Sequence, residues 1–195
     1  METLKLFINA QIDIDEGSAD EFMKLAIPRK YKKKEFLSKA GELQSNFYIL
    51  KSGIARSYYS DEAGKTHIRT FFTKKMQNTG DVGALLTGKP AQLYYDCLTD
   101  CEVYIINFEK FKDIAKRNHK FSIFYSSILS LAVLALESKI YDLSVLNGTE
   151  RYLKLKAQNP GIENLIPQYH IASFLNITPV QLSRIRKKMY TKEKS

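Results

Sequence analysis

Tryptophan is absent from the 195 residues, and cysteine (two), histidine (three) and proline (five) are scarce. Cys97 and Cys101 are too few for a disulfide framework, and their C-x-x-x-C spacing is neither the redox C-x-x-C nor part of a four-ligand zinc set. They read as ordinary buried thiols, with a sensor role as the alternative. His67, His119 and His170 fall in three different stretches with no recognisable partner spacing, which argues against an enzyme; no metal site or cofactor is expected. Gly83-Ala84-Leu85-Leu86-Thr87-Gly88-Lys89 satisfies the first part of a phosphate-binding P-loop. Pro90 then stands where a serine or threonine must bind magnesium, which excludes that reading. No apolar run is read as long enough to span a bilayer, so no membrane partner is expected. The start, Met-Glu-Thr-Leu-Lys, lacks the apolar core and small-residue cleavage site of a secretory signal, and the expected compartment is the cytoplasm.

Acidic residues are also outnumbered. The chain carries 30 lysines and arginines against 21 acids, a net charge of +9, with 44% hydrophobic residues, as a folded globular protein has. The excess is uneven: residues 148–195 hold nine bases and three acids, so a polyanionic partner should meet the C-terminal end.

Leu4, Phe7 and Ile8, then Phe22, Met23, Leu25 and Ala26, suggest two short helices. Ser18 and Glu21 lie at a capping-box spacing ahead of the second, and Pro28 ends it. From about Lys30 to Phe108 short runs rich in Tyr, Phe, Ile and Val alternate with turns such as Lys51-Ser52-Gly53 and Asn78-Thr79-Gly80-Asp81, the pattern of an antiparallel sandwich or barrel. The run Arg29-Lys30-Tyr31-Lys32-Lys33-Lys34 reads as a solvated, edge-protecting strand. Helical signal follows over 109–117 and again over about 121–146. In the second stretch Leu129, Val133, Leu136, Ile140 and Leu143 recur at steps of four and three, which lays a coiled-coil seam along one face. We read it as a dimer interface; the alternative is that the stripe packs on the chain's own strands. Phe124, Ile128, Leu131 and Leu134 lie off the seam and could cover those strands. Asn147-Gly148 stops the helix, which gives domains at 1–120, 121–147 and 148–195.

The tail carries a helix-turn-helix pattern. Pro167 suits a first helical position, Ile171, Phe174 and Leu175 make an apolar face, and Ala172 is small where two helices cross. Asn176 sits where the turn needs positive φ, and Thr178, Pro179 and Gln181 spell the start of a second helix with a capping box. On that helix Leu182, Ile185 and Met189 point inward, and Val180, Ser183, Arg184 and Lys187 outward. Arg184 suits bidentate recognition of guanine, Gln181 a base or phosphate, and Arg186, Lys187, Lys188 and Lys192 the phosphate backbone. The DNA-binding set is then Thr178, Val180, Gln181, Ser183, Arg184, Arg186, Lys187 and Lys188. The alternative is a small helical subdomain with a solvated basic face.

Together these elements resemble the Crp/Fnr superfamily of transcription regulators. The resemblance rests on their order and on Phe47-Tyr48-Ile49-Leu50-Lys51-Ser52-Gly53-Ile54-Ala55, similar to the strand-turn-strand signature of the cyclic-nucleotide-binding β-roll. Gly80-Asp81-Val82-Gly83 and Cys101-Glu102-Val103 match its later strands. The resemblance implies an α+β fold: an antiparallel β-roll (a double-stranded β-helix) with flanking helices, a long dimerisation helix and a C-terminal helix-turn-helix. It also implies a homodimeric sensor-regulator with double-stranded DNA and a second copy of the chain as partners, and RNA polymerase as a candidate third. Members that bind cyclic AMP carry Gly-Glu and later Arg-Ser or Arg-Thr; here Gly83-Ala84-Leu85 and Ala91-Gln92 stand at those places. Without the guanidinium a buried cyclic phosphate is unpaired, so no useful cyclic-nucleotide affinity is expected. An iron-sulfur cluster needs four cysteines, and His67 is a lone strand histidine, not a haem ligand set. By family position an effector pocket, its ligand unidentified, would be formed by Gly83, Ala84, Leu85, Ala91, Gln92 and Tyr94. The tail after Met189 looks too short for the β-hairpin wing of many relatives. The alternative function is a degenerate β-roll serving as a protein-interaction scaffold.

Overall fold

A computed structural model describes residues 2–11 and 15–192. Helices α1 (Glu2–Gln11) and α2 (Glu16–Leu25) precede strands β1 (Ile27–Tyr31), β2 (Phe36–Ser38), β3 (Asn46–Ser52), β4 (Ala55–Ser60), β5 (Thr66–Phe72) and β6 (Gln77–Thr79). A short helix α3 (Val82–Thr87) leads to β7 (Tyr94–Cys97) and β8 (Cys101–Asn107). The rest is helical: α4 (Phe108–Arg117), α5 (His119–Val145), α6 (Gly148–Gln158), α7 (Ile162–Leu165), α8 (Gln168–Phe174) and α9 (Pro179–Lys192). Contacts divide the chain into two compact units, Met1–Ser57 with Phe71–Val133, and Tyr58–Thr70 with Leu134–Ser195.

In the first unit the strand period of two decides what each sheet buries. The sheets have orders β1-β8-β3-β6 and β2-β7-β4-β5, with antiparallel pairs such as Tyr48 opposite Ile105. Tyr48, Leu50, Cys101 and Val103 of the first join Leu37, Ala55, Phe72, Tyr95 and Cys97 of the second in one core cluster. The intervening residues Ile49, Tyr104 and Ile106 join Leu4, Phe22, Phe111, Phe121 and Phe124 from the helices in another. The middle strands β3 and β8 are therefore buried on both sides, which is why they read as nearly continuous apolar runs. Tyr48 is tied across the core by donating its hydroxyl to the Leu37 carbonyl, and burial pushes its phenol up to about 12. Gly53 makes the turn between β3 and β4 at φ +94°, where a Cβ would lie 2.3 Å from the Asp100 carbonyl oxygen. The lysine-rich β1 is an outer strand, exposed from Ile27 to Lys30, as the edge-protecting reading requires. Both cysteines are buried; the hydrogen bond between them raises the Cys97 thiol and lowers that of Cys101.

Several local expectations are corrected. The cap of α2 is Asp15, which accepts from Ser18 N, so Ser18 and Glu21 lie inside the helix and form no capping box. Helix α2 ends at Leu25, and Pro28 lies in β1, opposite Tyr104. Val82–Thr87 is helical, not strand, because the Asp81 carboxylate caps it. Helix α5 ends at Val145, just before Asn147-Gly148 as expected, and Asn147 at φ −75° also caps α6, in a capping box with Glu150. Pro167 caps α8 from outside the helix, one residue before the expected position. Finally, α5 is by length and mean hydropathy (1.6) able to cross a bilayer, the one such helix among the described residues. The sequence reading missed it because Ser122, Ser126, Ser127 and Ser130 break up the apolar run.

In the second unit the packing converges on the end of α8. A helix leaves its last four carbonyls without helical partners. Here Ile177 N–H bonds to Ala172 O and Asn176 N–H to Ser173 O, both 3.1 Å, the Schellman pattern, with Asn176 at φ +52°. The next two carbonyls are taken by cations. Lys139 on α5 donates to Phe174 O (2.9 Å), its ammonium 3.6 Å from the Phe174 ring centroid, and Arg151 on α6 donates to Leu175 O (2.9 Å) and to Leu146 O.

Burial pulls the Lys139 pKa down to about 8; Asp142 opposes the shift, and Arg151 and Lys154 add to it. An unfolded lysine titrates near 10.5, so between those values the unfolded chain holds a proton that the folded chain has lost, and stability rises with pH through that window. Below it the folded chain bears the whole cost of the buried cation. The Tm of the wild type relative to Lys139→Met should therefore climb from about pH 7 to about pH 10 in melts followed by circular dichroism. Parallel curves would refute the shift.

Candidate nucleic-acid interface and effector pocket

The helix that follows the Asn176 turn starts as its sequence requires. Thr178 N–H donates to Gln181 Oε1 (2.8 Å), Gln181 N–H donates to Thr178 Oγ1 (3.1 Å), and Pro179 opens α9. Leu182 is buried beneath it, with Ile185 and Met189 half-buried. Val180, 60% exposed, shares the solvent side with Thr178, Gln181, Ser183, Arg184, Lys187 and Lys188. Arg186 is placed differently. It is half-buried, with Nε 3.5 Å from Glu163 Oε1, and the same carboxylate holds Lys156 (3.2 Å) and accepts from the Tyr152 hydroxyl. The Lys192 side chain lies outside the described residues. A cleft of about 430 Å³ runs beside α9, between Gln168 at the start of α8 and Pro179, Ser183 and Arg186 on α9.

Two of the residues expected at an effector pocket, Ala84 and Gln92, are held by one side chain that their spacing alone does not single out. Asp81 is buried, and its two oxygens accept from Ala84 N (3.1 Å) and Gln92 N (3.2 Å), so it binds α3 to the segment that enters β7. Tyr95 donates to Gly80 O (2.7 Å) behind it. Ala84, Leu85 and Ala91 are buried in this arrangement, Tyr94 is half-buried, and Gly83 and Gln92 are exposed. On the face of the second sheet opposite Ala55, Tyr95 and Cys97 lies a bidentate pair, Arg56 Nε to Asp96 Oδ1 (2.7 Å) and Arg56 Nη2 to Asp96 Oδ2 (2.9 Å), both residues buried. Asp81 was findable from its position three residues before Ala84, the spacing of a side-chain cap. The Arg56–Asp96 pair was not, because the two lie forty residues apart.

The histidines do not converge. His67 meets Asp61 (2.9 Å) in the β4–β5 hairpin, His170 packs on Tyr169, and His119 starts α5. Along α5, Phe124 is buried and Ile128 half-buried against the first unit's core, as expected, but Leu131 and Leu134 are 64% and 58% exposed and do not cover the strands. Of the seam residues Leu129 is half-buried, and Val133, Leu136, Ile140 and Leu143 are exposed.

Residues 28–118 match the model of the cyclic nucleotide-binding domain family. A comparison with curated proteins finds no match. Among solved structures, FixK2 from Bradyrhizobium japonicum is similar with a TM-score of 0.75 and 17% identity, over 86% of each chain. The c-di-GMP responsive global regulator CLP of Xanthomonas campestris aligns with a TM-score of 0.71 and 16% identity, over 92% of this chain and 93% of its own. A transcriptional regulator from Eubacterium rectale, placed provisionally in the Crp/Fnr family, gives 0.73 and 14%, over 92% and 85%. At these identities the likeness establishes the fold. The chain thus shares the fold of these structures, and residues 28–118 are the stretch similar to the cyclic nucleotide-binding domain family.

Proposed function

We propose that the protein is a homodimeric transcription regulator that binds double-stranded DNA through α9. The observation that carries this reading is the exposed side of α9, where Arg184, Lys187 and Lys188 stand beside Gln181 and Ser183 on a helix fixed by a Schellman turn and a capping box. Arg184 is the base-reading residue, Gln181 and Ser183 flank it, and Lys187 and Lys188 hold phosphate. Arg186 supports the helix through Glu163 and contributes charge. We assign residues 1–120 to sensing, 121–147 to dimerisation and 148–195 to DNA.

The exposed apolar residues of α5 favour a second copy of the chain over bare solvent, since a fully buried leucine or isoleucine is worth about 1.5–3 kcal/mol. We read α5 as the helix of a cytoplasmic dimer, not a membrane span: Phe121 and Phe124 are built into the first unit's core, and Lys139 is held to α8. No catalytic role is assigned. RNA polymerase is the further partner that such a regulator would recruit or obstruct. For cyclic nucleotides, the amide N–H at Gln92, where family members place their phosphate ligands, already donates to Asp81. The effector of this β-roll is therefore of another chemistry, or binds elsewhere on it. The scaffold reading gains from that filled cassette, but leaves the exposed basic face of α9 without a role.

Four measurements test the proposal. Duplexes selected from a randomised pool should show two-fold half-sites about one helical turn, roughly 34 Å, apart. Arg184→Ala should then relax base preference at one position of each half-site, whereas Lys188→Ala should weaken all sequences alike and reduce the salt slope by about one. Unchanged specificity in Arg184→Ala would show that another face reads the bases. Sedimentation should give a dimer for the wild type and a monomer for Leu136→Asp with Ile140→Asp; a wild-type monomer at micromolar concentration sinks the seam. Titration calorimetry with cyclic AMP and cyclic GMP should show no micromolar binding.

A further inference from the structure

We propose that Ser173, outside the DNA-reading set, is a positioning residue for recognition: its single hydroxyl clasps the helix-turn-helix to the free edge of the β4–β5 hairpin and so holds the two reading heads of the dimer in register. The inference rests on the DNA-binding reading above. Strand β5 is the outer strand of its sheet, so on its open side the backbone groups of Thr66 and Ile68 have no neighbouring strand. Ser173 Oγ accepts from Ile68 N–H (3.0 Å) and donates to Thr66 C=O (2.8 Å). One oxygen thus does for the edge what the N–H and C=O of a parallel partner residue would do. Ile68 is 4% exposed, so its amide cannot turn to water instead, and leaving it unpaired is costly.

The position of the clasp gives it a meaning beyond packing. Ser173, Phe174 and Leu175 are consecutive at the end of α8, and each is held by a different element: the hairpin, Lys139 of α5 and Arg151 of α6. The Asn176 turn and α9 follow directly. Three anchors at one helix end fix the direction in which the reading helix leaves, and Ser173 supplies the only one of these that depends on the hairpin. The contact lies on α8, away from Val180, Arg184 and Lys187, and leaves the reading face open. It therefore does not block DNA. Its effect falls on the geometry between two heads, because a two-fold site rewards only heads held at the right spacing, whereas a single half-site does not sense that spacing.

The test uses the full-length protein with a two-fold duplex selected from a randomised pool by the wild type, and the same duplex with one half scrambled. Fluorescence anisotropy should show Ser173→Ala weakened about tenfold on the full site and within about twofold of wild type on the half-site, with Ser173→Thr, which keeps the hydroxyl, close to wild type on both. Hydrogen exchange should show the Ile68 amide exchanging faster in Ser173→Ala than in the wild type, through easier local opening of the hairpin edge, while the α8 amides stay protected. Equal losses on both duplexes would reduce Ser173 to a folding role, and full-site affinity equal to or above wild type would overturn the proposal. A wild type that selects no duplex instead fails the DNA-binding reading itself and takes the clasp with it; a selected duplex with unchanged Ser173→Ala binding removes only the clasp.

Discussion

The direction in which α9 leaves depends on how four carbonyl groups at the end of α8 are satisfied. Ala172 and Ser173 are closed by the backbone of the turn, Phe174 by Lys139 and Leu175 by Arg151. Each carbonyl left bare in a partly buried setting would cost about 1–3 kcal/mol, so the turn, α5 and α6 are held to one arrangement. The Lys139 charge is kept there although burial works against it, which is what the pKa of about 8 records. A neutral side chain of the same length would fill the space and leave Phe174 O unpaired. The cation is retained for its geometry, at some cost in stability.

The same accounting of polar groups explains the β-roll. A sandwich cored by Tyr, Leu, Val and Cys needs no internal charge, yet Arg56, Asp96 and Asp81 are buried in this unit. Each is matched: Arg56 and Asp96 share two hydrogen bonds, and Asp81 takes two backbone amides. A carboxylate between those amides does electrostatically what a bound anion would do, and it cannot diffuse away. A phosphate ligand would have to displace Asp81 and then tolerate its charge nearby. Ala91-Gln92 offers no guanidinium and Asp81 adds a negative charge, so both support the proposal that cyclic nucleotides are not its ligands.

The parts legible in the sequence were those whose cause is local. The strand period separated Tyr48 and Leu50 from Ile49, the edge lysines of β1 were solvated as expected, and Asn176, Thr178 and Gln181 specified their turn and cap residue by residue. Competing local signals mislead where two caps are available: Asp15 prevails over Ser18. Asn147 both follows the end of α5 and caps the start of α6, a second role its spacing to Glu150 carries. What could not be read were pairs made by the fold, such as Arg56 with Asp96, Arg186 with Glu163 and Ser173 with the hairpin. Arg186 shows the consequence. By charge and helical position it belongs with Lys187 and Lys188, and only the three-dimensional placement of Glu163 distinguishes it.

Helix α5 shows why composition and packing must be weighed together. Its mean hydropathy of 1.6 over a span of bilayer length would admit it to a membrane. Its apolar residues are not spread evenly, however. By the 3.6 period Val133, Leu136, Ile140 and Leu143 form one strip, and Leu131, Leu134, Tyr141 and Val145 lie well round the helix from it. Lys139 falls outside the second strip, with its ammonium committed to Phe174 O, and Asp142 is bound to Lys154 at 2.6 Å. Lipid surrounds a helix on every side and would strip these charges of their partners. A second helix would cover one strip and leave them in place, so the polar anchors at the end of α8 are compatible with the dimer we propose and not with lipid around α5.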